Sequence, residues 1–374
     1  MQALIPTRAL VDGALQTGVA VLIDGARIFG VVPAQAVPAE AKTQRLAGTL
    51  APGFLDTQVN GGGGVLFNDE PTVAGIAAIG AAHRRFGTTG FLPTLISDDL
   101  EVIRRAVAAV DAAIEAGVPG VLGIHIEGPF LNVDRKGIHS ADKIRPLDAE
   151  GIAALTGLRR GRTLVTLAPE RVTLADIEQL VAAGVVVAAG HTNARYEQAK
   201  AAVAAGMRGV THLFNAMSPL GSREPGMVGA SLDSDALVCG IIVDGHHVNP
   251  ATLRLALRCK RPSGFMLVTD AMPSVGSDAS EFVLQGKRIT VKGGVCRGAD
   301  GTLAGSHLDM AQAVRNTVEL LGTDLATALA MASESPAALI GLAGTHGRIA
   351  PGYAADLVLL DDAGQVAATW IGGA

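Results

Sequence analysis

V-L-G-I-H-I-E-G-P, residues 121–129, runs an apolar, strand-like segment straight into a carboxylate, Glu127. Three further stretches end in the same way. V-V-V-A-A-G-H-T at 185–192 delivers His191, G-V-T-H-L-F-N-A at 209–216 carries His212, and G-F-M-L-V-T-D-A at 264–271 leads to Asp270. Around them the chain alternates apolar runs with Ala-rich amphipathic segments such as V-I-R-R-A-V-A-A-V-D-A-A-I-E-A. Eight candidate strands lie near 50–59, 88–96, 121–127, 163–168, 185–191, 209–213, 237–243 and 264–270, with helical patterns between most of them. This is the texture of an α/β chain and predicts a (β/α)₈ TIM-type barrel. A doubly wound open sheet satisfies the same periodicity. The barrel is favoured because polar chemistry recurs at many strand ends, whereas an open sheet gathers it at one switch point.

Outside residues 51–346 the texture changes. The first fifty residues and residues 347–374 read as short β segments, including a D-G-A-R turn at 24–27 that signals a hairpin. Both termini are therefore expected to build one small β-sandwich domain, 1–50 with 347–374. A further β excursion is expected at about 276–305, around F-V-L-Q-G-K-R-I-T-V-K-G-G-V-C.

Composition narrows the partners. A net charge of −5 argues against nucleic acid, which requires a basic surface. Aromatic residues are 3% of the chain, too few for base-stacking platforms. No stretch reads as a membrane span or secretory leader. Cys239, Cys259 and Cys296 form no C-x-x-C pair and read as small core residues of a protein in a reducing compartment, with the cytoplasm as the expected location.

Glu127, His191 and His212 match the number and type of ligands that hold a zinc-like ion while leaving one position open. Singly, a Glu after a strand fits a capping role and a His in G-H-T a core or turn role; together at three strand ends they point to a metal. Asp270 reads as a general base beside that metal, or alone as an N-cap. His125, two residues before Glu127, falls on the same strand face and is expected close behind the metal site. His83 reads as a surface residue, and His246, His307 and His346 have no supporting constellation.

These motifs, with A-P-G-F-L-D-T-Q-V-N-G-G-G-G at 51–64, K-G-I-H at 136–139, G-S-R-E-P-G at 221–226 and D-G-H-H at 244–247, resemble the amidohydrolase superfamily and, within it, the N-acetylglucosamine-6-phosphate deacetylase family. The resemblance spans essentially the whole chain. It implies hydrolysis of an amino-sugar phosphate by a cytoplasmic homodimer carrying one divalent ion per subunit, zinc or ferrous iron. Many superfamily members carry His-x-His after the first strand, where this chain has Gln58 and Asn60, so a single metal is implied, with these amides as supporting groups. The resemblance makes Asp270 the proton carrier and His139 the group that polarises the acetyl carbonyl. It assigns substrate contacts to Ile138, Asn215, Ala216, Arg223, His247, Leu303, Ala304 and Gly305, with Arg223 on the phosphate. Another N-acyl or cyclic amide is the alternative substrate.

Overall fold

The computed structural model describes residues 1–374. Eight parallel strands pair in chain order: β1 (Phe54–Val59), β2 (Thr88–Ile96), β3 (Gly123–Glu127), β4 (Arg162–Leu167), β5 (Val186–Ala189), β6 (Gly209–Val210), β7 (Val238–Ile241) and β8 (Phe265–Leu267). The expected strands are all present, but several are shorter than their apolar runs. The chain leaves the ladder before it reaches His191, His212 and Asp270.

The ring closes between β8 and β1. Val59 and Ala271 form a parallel bridge, and the Asn60 amide donates to the Ala271 carbonyl at 2.9 Å. Asp56 on β1 reinforces this seam from inside. Its Oδ2 accepts from Thr269 Oγ1 at 2.5 Å, and its Oδ1 accepts from the amides of Thr269 at 3.3 Å and Gln58 at 3.1 Å. A (β/α)₈ barrel is therefore formed, and the open sheet is excluded.

Helices cover the barrel because their apolar residues recur on one face. In the helix Leu100–Glu115, Ile103, Ala106, Val107, Val110 and Ala113 are buried, at the three- and four-residue spacing of a core-facing stripe. The helix Leu174–Ala182 is stopped from unwinding by a capping box between Thr173 and Asp176. One contiguous cluster of 63 buried apolar residues fills the space between strands and helices.

The termini form a separate seven-stranded sheet with its own apolar cluster, in which Leu4, Val21, Ile28, Leu50 and Leu357 are buried. The hairpin expected at D-G-A-R is present, with Asp24 opposite Arg27. We propose the division 1–50 plus 347–374 against 51–346; the strand Lys42–Pro52 carries the chain across the first boundary. Beyond β8, the strands Glu281–Leu284, Lys287–Lys292 and Val295–Gly298 make a three-stranded antiparallel flap. No helix is long and apolar enough to cross a membrane.

Two expectations are corrected. His83 is fully buried, not at the surface: its Nε2 faces the Gly61 carbonyl at 2.9 Å, because its helix packs on the glycine turn after β1. Cys239 and Cys296 are buried, but Cys259 is exposed at the end of the helix Pro250–Cys259.

Asp56 yields a stability prediction. Burial pushes its carboxyl up to about 7, against the opposing pull of the Thr269 and Gln58 hydrogen bonds. A carboxyl raised on folding holds its proton more tightly in the native state, so its stabilising effect is complete below about pH 4 and is lost as pH rises toward 7. The slope from this group approaches about 1.4 kcal/mol per pH unit. Asp56→Asn keeps an acceptor for both amides and removes the titration. Denaturant unfolding between about pH 5 and pH 7 should show wild type losing stability more steeply than the variant; parallel curves would contradict the assignment.

Candidate metal centre and active site

Glu127 closes β3, while His191, His212 and Asp270 lie just past the ends of β5, β6 and β8. These last three adopt left-handed backbone, with φ of 49°, 32° and 52°. Of seven non-glycine residues with positive φ, five lie here, since Phe214 and Ala216 join them. Such conformations persist only where the surroundings over-determine them. Gly190 allows the turn to sit close: a Cβ there would stand 2.6 Å from Thr166 Cγ2.

Glu127, His191 and His212 converge on one point, and Gln58 links Asp270 to Glu127 beside it. Glu127 Oε1 stands 2.9 Å from His191 Nε2 and 3.0 Å from His212 Nε2, and the two imidazole nitrogens are 3.1 Å apart. All three residues are at most 5% exposed. His191 Nδ1 donates to the Arg135 carbonyl at 2.8 Å. A carbonyl only accepts, so the Nδ1 proton is fixed and neutral His191 presents a lone pair at Nε2. That lone pair faces a carboxylate oxygen, so a positive centre, proton or metal ion, must stand between two acceptors. Metal–ligand bonds of about 2.0–2.1 Å in a tetrahedral site separate donors by about 3.3 Å, within a few tenths of the triangle observed. The donor set fits one divalent ion. Burial alone would raise the Glu127 carboxyl, yet the bonds from His191 and His212 outweigh it and hold the group well below the usual range.

His139 is also close, with its donor atom within 4.8 Å of those of Glu127 and His191. It is not a ligand. Its Nδ1 accepts the Ser97 backbone amide at 3.3 Å and lies 2.8 Å from Ser97 Oγ. An amide only donates, so Nδ1 holds the lone pair and Nε2 the proton. Burial and the adjacent His191 hold His139 well below the ordinary imidazole range, which keeps it neutral. His139 therefore aims an N–H donor toward the centre, 3.9 Å from Glu127 Oε1.

Gln58 and Asn60 orient the Asp270 carboxylate. Asn60 Nδ2 donates to Asp270 Oδ1 at 2.6 Å, and Gln58 Nε2 reaches both Asp270 Oδ1 at 3.1 Å and Glu127 Oε2 at 3.0 Å. Both amides occupy the same oxygen of Asp270, leaving Oδ2 without a protein donor. Burial and the Glu127 charge push Asp270 up to about 6. His125 lies one step down β3, between Thr94 Oγ1 at 3.3 Å and Thr166 Oγ1 at 2.7 Å, and touches no ligand directly. Burial pulls it down to about 4, so it too is neutral.

A cleft of about 230 Å³ opens over this centre. Ile138, Asn215, Ala216, His247, Leu303 and Gly305 line it together with the centre itself, as do Ile96, Gly137, Met272 and Thr302, which the sequence did not single out. Gly305 admits the Leu303 loop, since a Cβ there would meet the Asp270 carbonyl at 2.7 Å. His247 is held by Asp244, whose Oδ2 is 2.6 Å from Nδ1. Ala304 is fully buried behind the lining, in an apolar cluster with Met272 and Ile96. Arg223 is exposed and is not among the residues that line the cleft. A larger hollow of about 390 Å³, near Asp12 and the Glu334–Arg348 ion pair, gathers no set of metal ligands.

Glu170, just past β4, keys the His191 turn. Its Oε1 accepts from the Asn193 amide at 2.6 Å and from Asn132 Nδ2 at 2.9 Å, and its Oε2 accepts from Thr192 Oγ1 at 2.5 Å. Asn132 in turn donates its amide to the His191 carbonyl at 2.9 Å. Glu170→Ala should weaken divalent metal binding by about 10–100-fold, the usual effect of removing a group that orients a ligand. Competition with a chelator measures it; unchanged affinity would show that the His191 turn holds itself.

The amidohydrolase family model matches residues 49–374. An N-acetylgalactosamine-6-phosphate deacetylase of Shewanella sp. (strain ANA-3) is 47% identical over 327 residues, 87% of this chain and 83% of the relative. An N-acetylglucosamine-6-phosphate deacetylase of Haemophilus influenzae is 38% identical over 358 residues, 95% of this chain and 93% of the relative. The crystal structure of N-acetylglucosamine-6-phosphate deacetylase from Pasteurella multocida superposes with a TM-score of 0.96 at 35% identity, covering 100% of this chain and 98% of the other. With its metal-type donor triangle, its oriented carboxylate and these relatives over nearly its full length, the chain belongs to the amidohydrolase family, in the branch of the N-acetylhexosamine-6-phosphate deacetylases.

Proposed function

We propose that the enzyme hydrolyses N-acetyl-D-glucosamine 6-phosphate to acetate and D-glucosamine 6-phosphate. The observation that carries this reading is the pairing of a neutral N–H donor, His139, with an acceptor, Asp270 Oδ2, at one buried donor triangle inside one cleft. Glu127, His191 and His212 would hold one divalent ion, zinc or ferrous iron, which when bound supplies a Lewis acid and lowers the pKa of water.

The residues divide the proton work. Asp270 Oδ2 accepts a proton from water as the water oxygen attacks the acetamide carbon. His139 Nε2–H donates to the carbonyl oxygen, where negative charge develops. When the carbon–nitrogen bond breaks, Asp270 returns its proton to the departing amine. The raised carboxyl of Asp270 suits both roles, since a base that must also act as an acid works best with a pKa near the operating pH.

Substrate contacts are proposed for Ile138, Asn215, Ala216, His247, Leu303 and Gly305, which line the cleft, with Ala304 supporting them from behind. Arg223 remains the cation proposed for the phosphate. Because it lies outside the lining of a single chain, this role requires its loop to fold over or a second copy to present it. A cytoplasmic homodimer completes the proposal. The galacto epimer is a second reading, favoured by the 47% identity to the Shewanella enzyme.

Asp270→Asn should keep fold and metal while lowering kcat by about 10²–10⁴-fold; near-normal turnover would remove Asp270 from the mechanism. Arg223→Ala should raise KM for the phosphorylated sugar by about 10–100-fold, the scale of a lost charged hydrogen bond, with a smaller change in kcat. An unchanged KM would end that assignment. Acetate release from the gluco and galacto 6-phosphates, compared as kcat/KM, decides the epimer; hydrolysis of the unphosphorylated sugar at an equal rate would overturn the sugar-phosphate reading.

A further inference from the structure

We infer that Gln285, at the tip of the flap, is a positioning residue that locks His139 in its Nε2-protonated tautomer, which makes the flap a working part of the active centre. The inference rests on the reading of His139 as the donor to the substrate carbonyl. Gln285 and Gly286 form the two-residue loop between Glu281–Leu284 and Lys287–Lys292, with Leu284 paired to Lys287. Both have positive φ, 46° and 77°, as a type I′ turn requires. Glycine, asparagine or aspartate suits the first of these positions; glutamine does not. An unfavourable residue at a strained position points to a task for its side chain.

The side chain reaches back to the barrel. Gln285 Nε2 donates to the Ser97 carbonyl at 2.6 Å, and its Oε1 accepts from the Ser140 amide at 3.0 Å. These two residues bracket His139. Ser97 supplies both contacts to His139 Nδ1, and Ser140 follows His139 in the chain. One amide thus ties the end of β2 to the His139 loop and holds the Ser97 N–H on Nδ1. Two weaker ties run the same way: Lys287 Nζ donates to the Ile138 carbonyl at 3.3 Å, and Ile138 packs on the apolar cluster of Leu284, Ile289 and Cys296.

Without the Gln285 clasp the Ser97 amide is free to leave Nδ1. The proton can then move to Nδ1, and Nε2 loses its donor. A lone pair at Nε2 would also compete as a ligand, since that atom lies 3.9 Å from Glu127 Oε1.

The test uses zinc-loaded full-length enzyme and three variants. Gln285→Gly removes the side chain and suits the positive φ, so Tm should hold or rise. Its kcat should nonetheless fall by roughly tenfold or more, short of the about 10²–10⁴-fold loss expected when a positioned proton-transfer group is removed. KM should change less than kcat. The ¹⁵N shifts of the His139 ring should move from a single Nε2–H tautomer to a mixture. Gln285→Glu, which keeps the size but cannot donate to the Ser97 carbonyl, should show the same loss. His139→Gln separates the two readings: if it keeps wild-type turnover, the role of His139 itself is wrong. If His139→Gln is inactive while Gln285→Gly keeps wild-type kcat and the wild-type tautomer, the inference about Gln285 is overturned.

Discussion

A buried carboxylate oxygen faces an imidazole lone pair at 2.9 Å, and this contact governs the centre. Two acceptors at that distance repel unless a positive charge stands between them, and burial removes the water that would soften the repulsion. The barrel keeps them there by force of covalent and backbone geometry. Glu127 sits in the β3 ladder, and His191 is clamped through its other nitrogen by the Arg135 carbonyl. The geometry thus sets a place for one positive centre, a proton or a divalent cation, and His212 completes the donor set from the adjacent strand.

The barrel seam and the Asp270 carboxylate are one construction. Asp56 ties Thr269 to β1, and Thr269 precedes Asp270 in the chain. Asn60 and Gln58, on the same strand edge as Asp56, then fix Asp270 Oδ1. At these two positions the chain has amides whose donors orient a carboxylate. A neutral amide is a poor metal ligand beside imidazole and carboxylate, and here both side chains serve as hydrogen-bond donors.

Much of this was legible in the sequence. Apolar runs ending in Glu127, His191, His212 and Asp270 marked the strand ends, since strand period and chain order together place such residues on one rim. Three of the runs overstate their strands, because apolar continuity does not reveal where the backbone turns left-handed. Residues whose roles depend on partners distant in sequence stayed hidden: Glu170, Ser97 and Gln285 act through contacts between loops that periodicity does not pair. His83 was misplaced because a histidine in a polar-looking helix gave no sign of the glycine turn it covers. Arg223 shows the converse. Its motif was recognisable, yet the fold of one chain leaves it exposed.

The account depends most directly on one cation held by Glu127, His191 and His212. Metal content of the purified enzyme, determined by elemental analysis alongside acetate release during stepwise reconstitution of the stripped protein, measures this. The account predicts activity rising linearly to a plateau at one equivalent of zinc or ferrous iron per chain. A plateau at two equivalents, or full activity in the stripped protein, would contradict it.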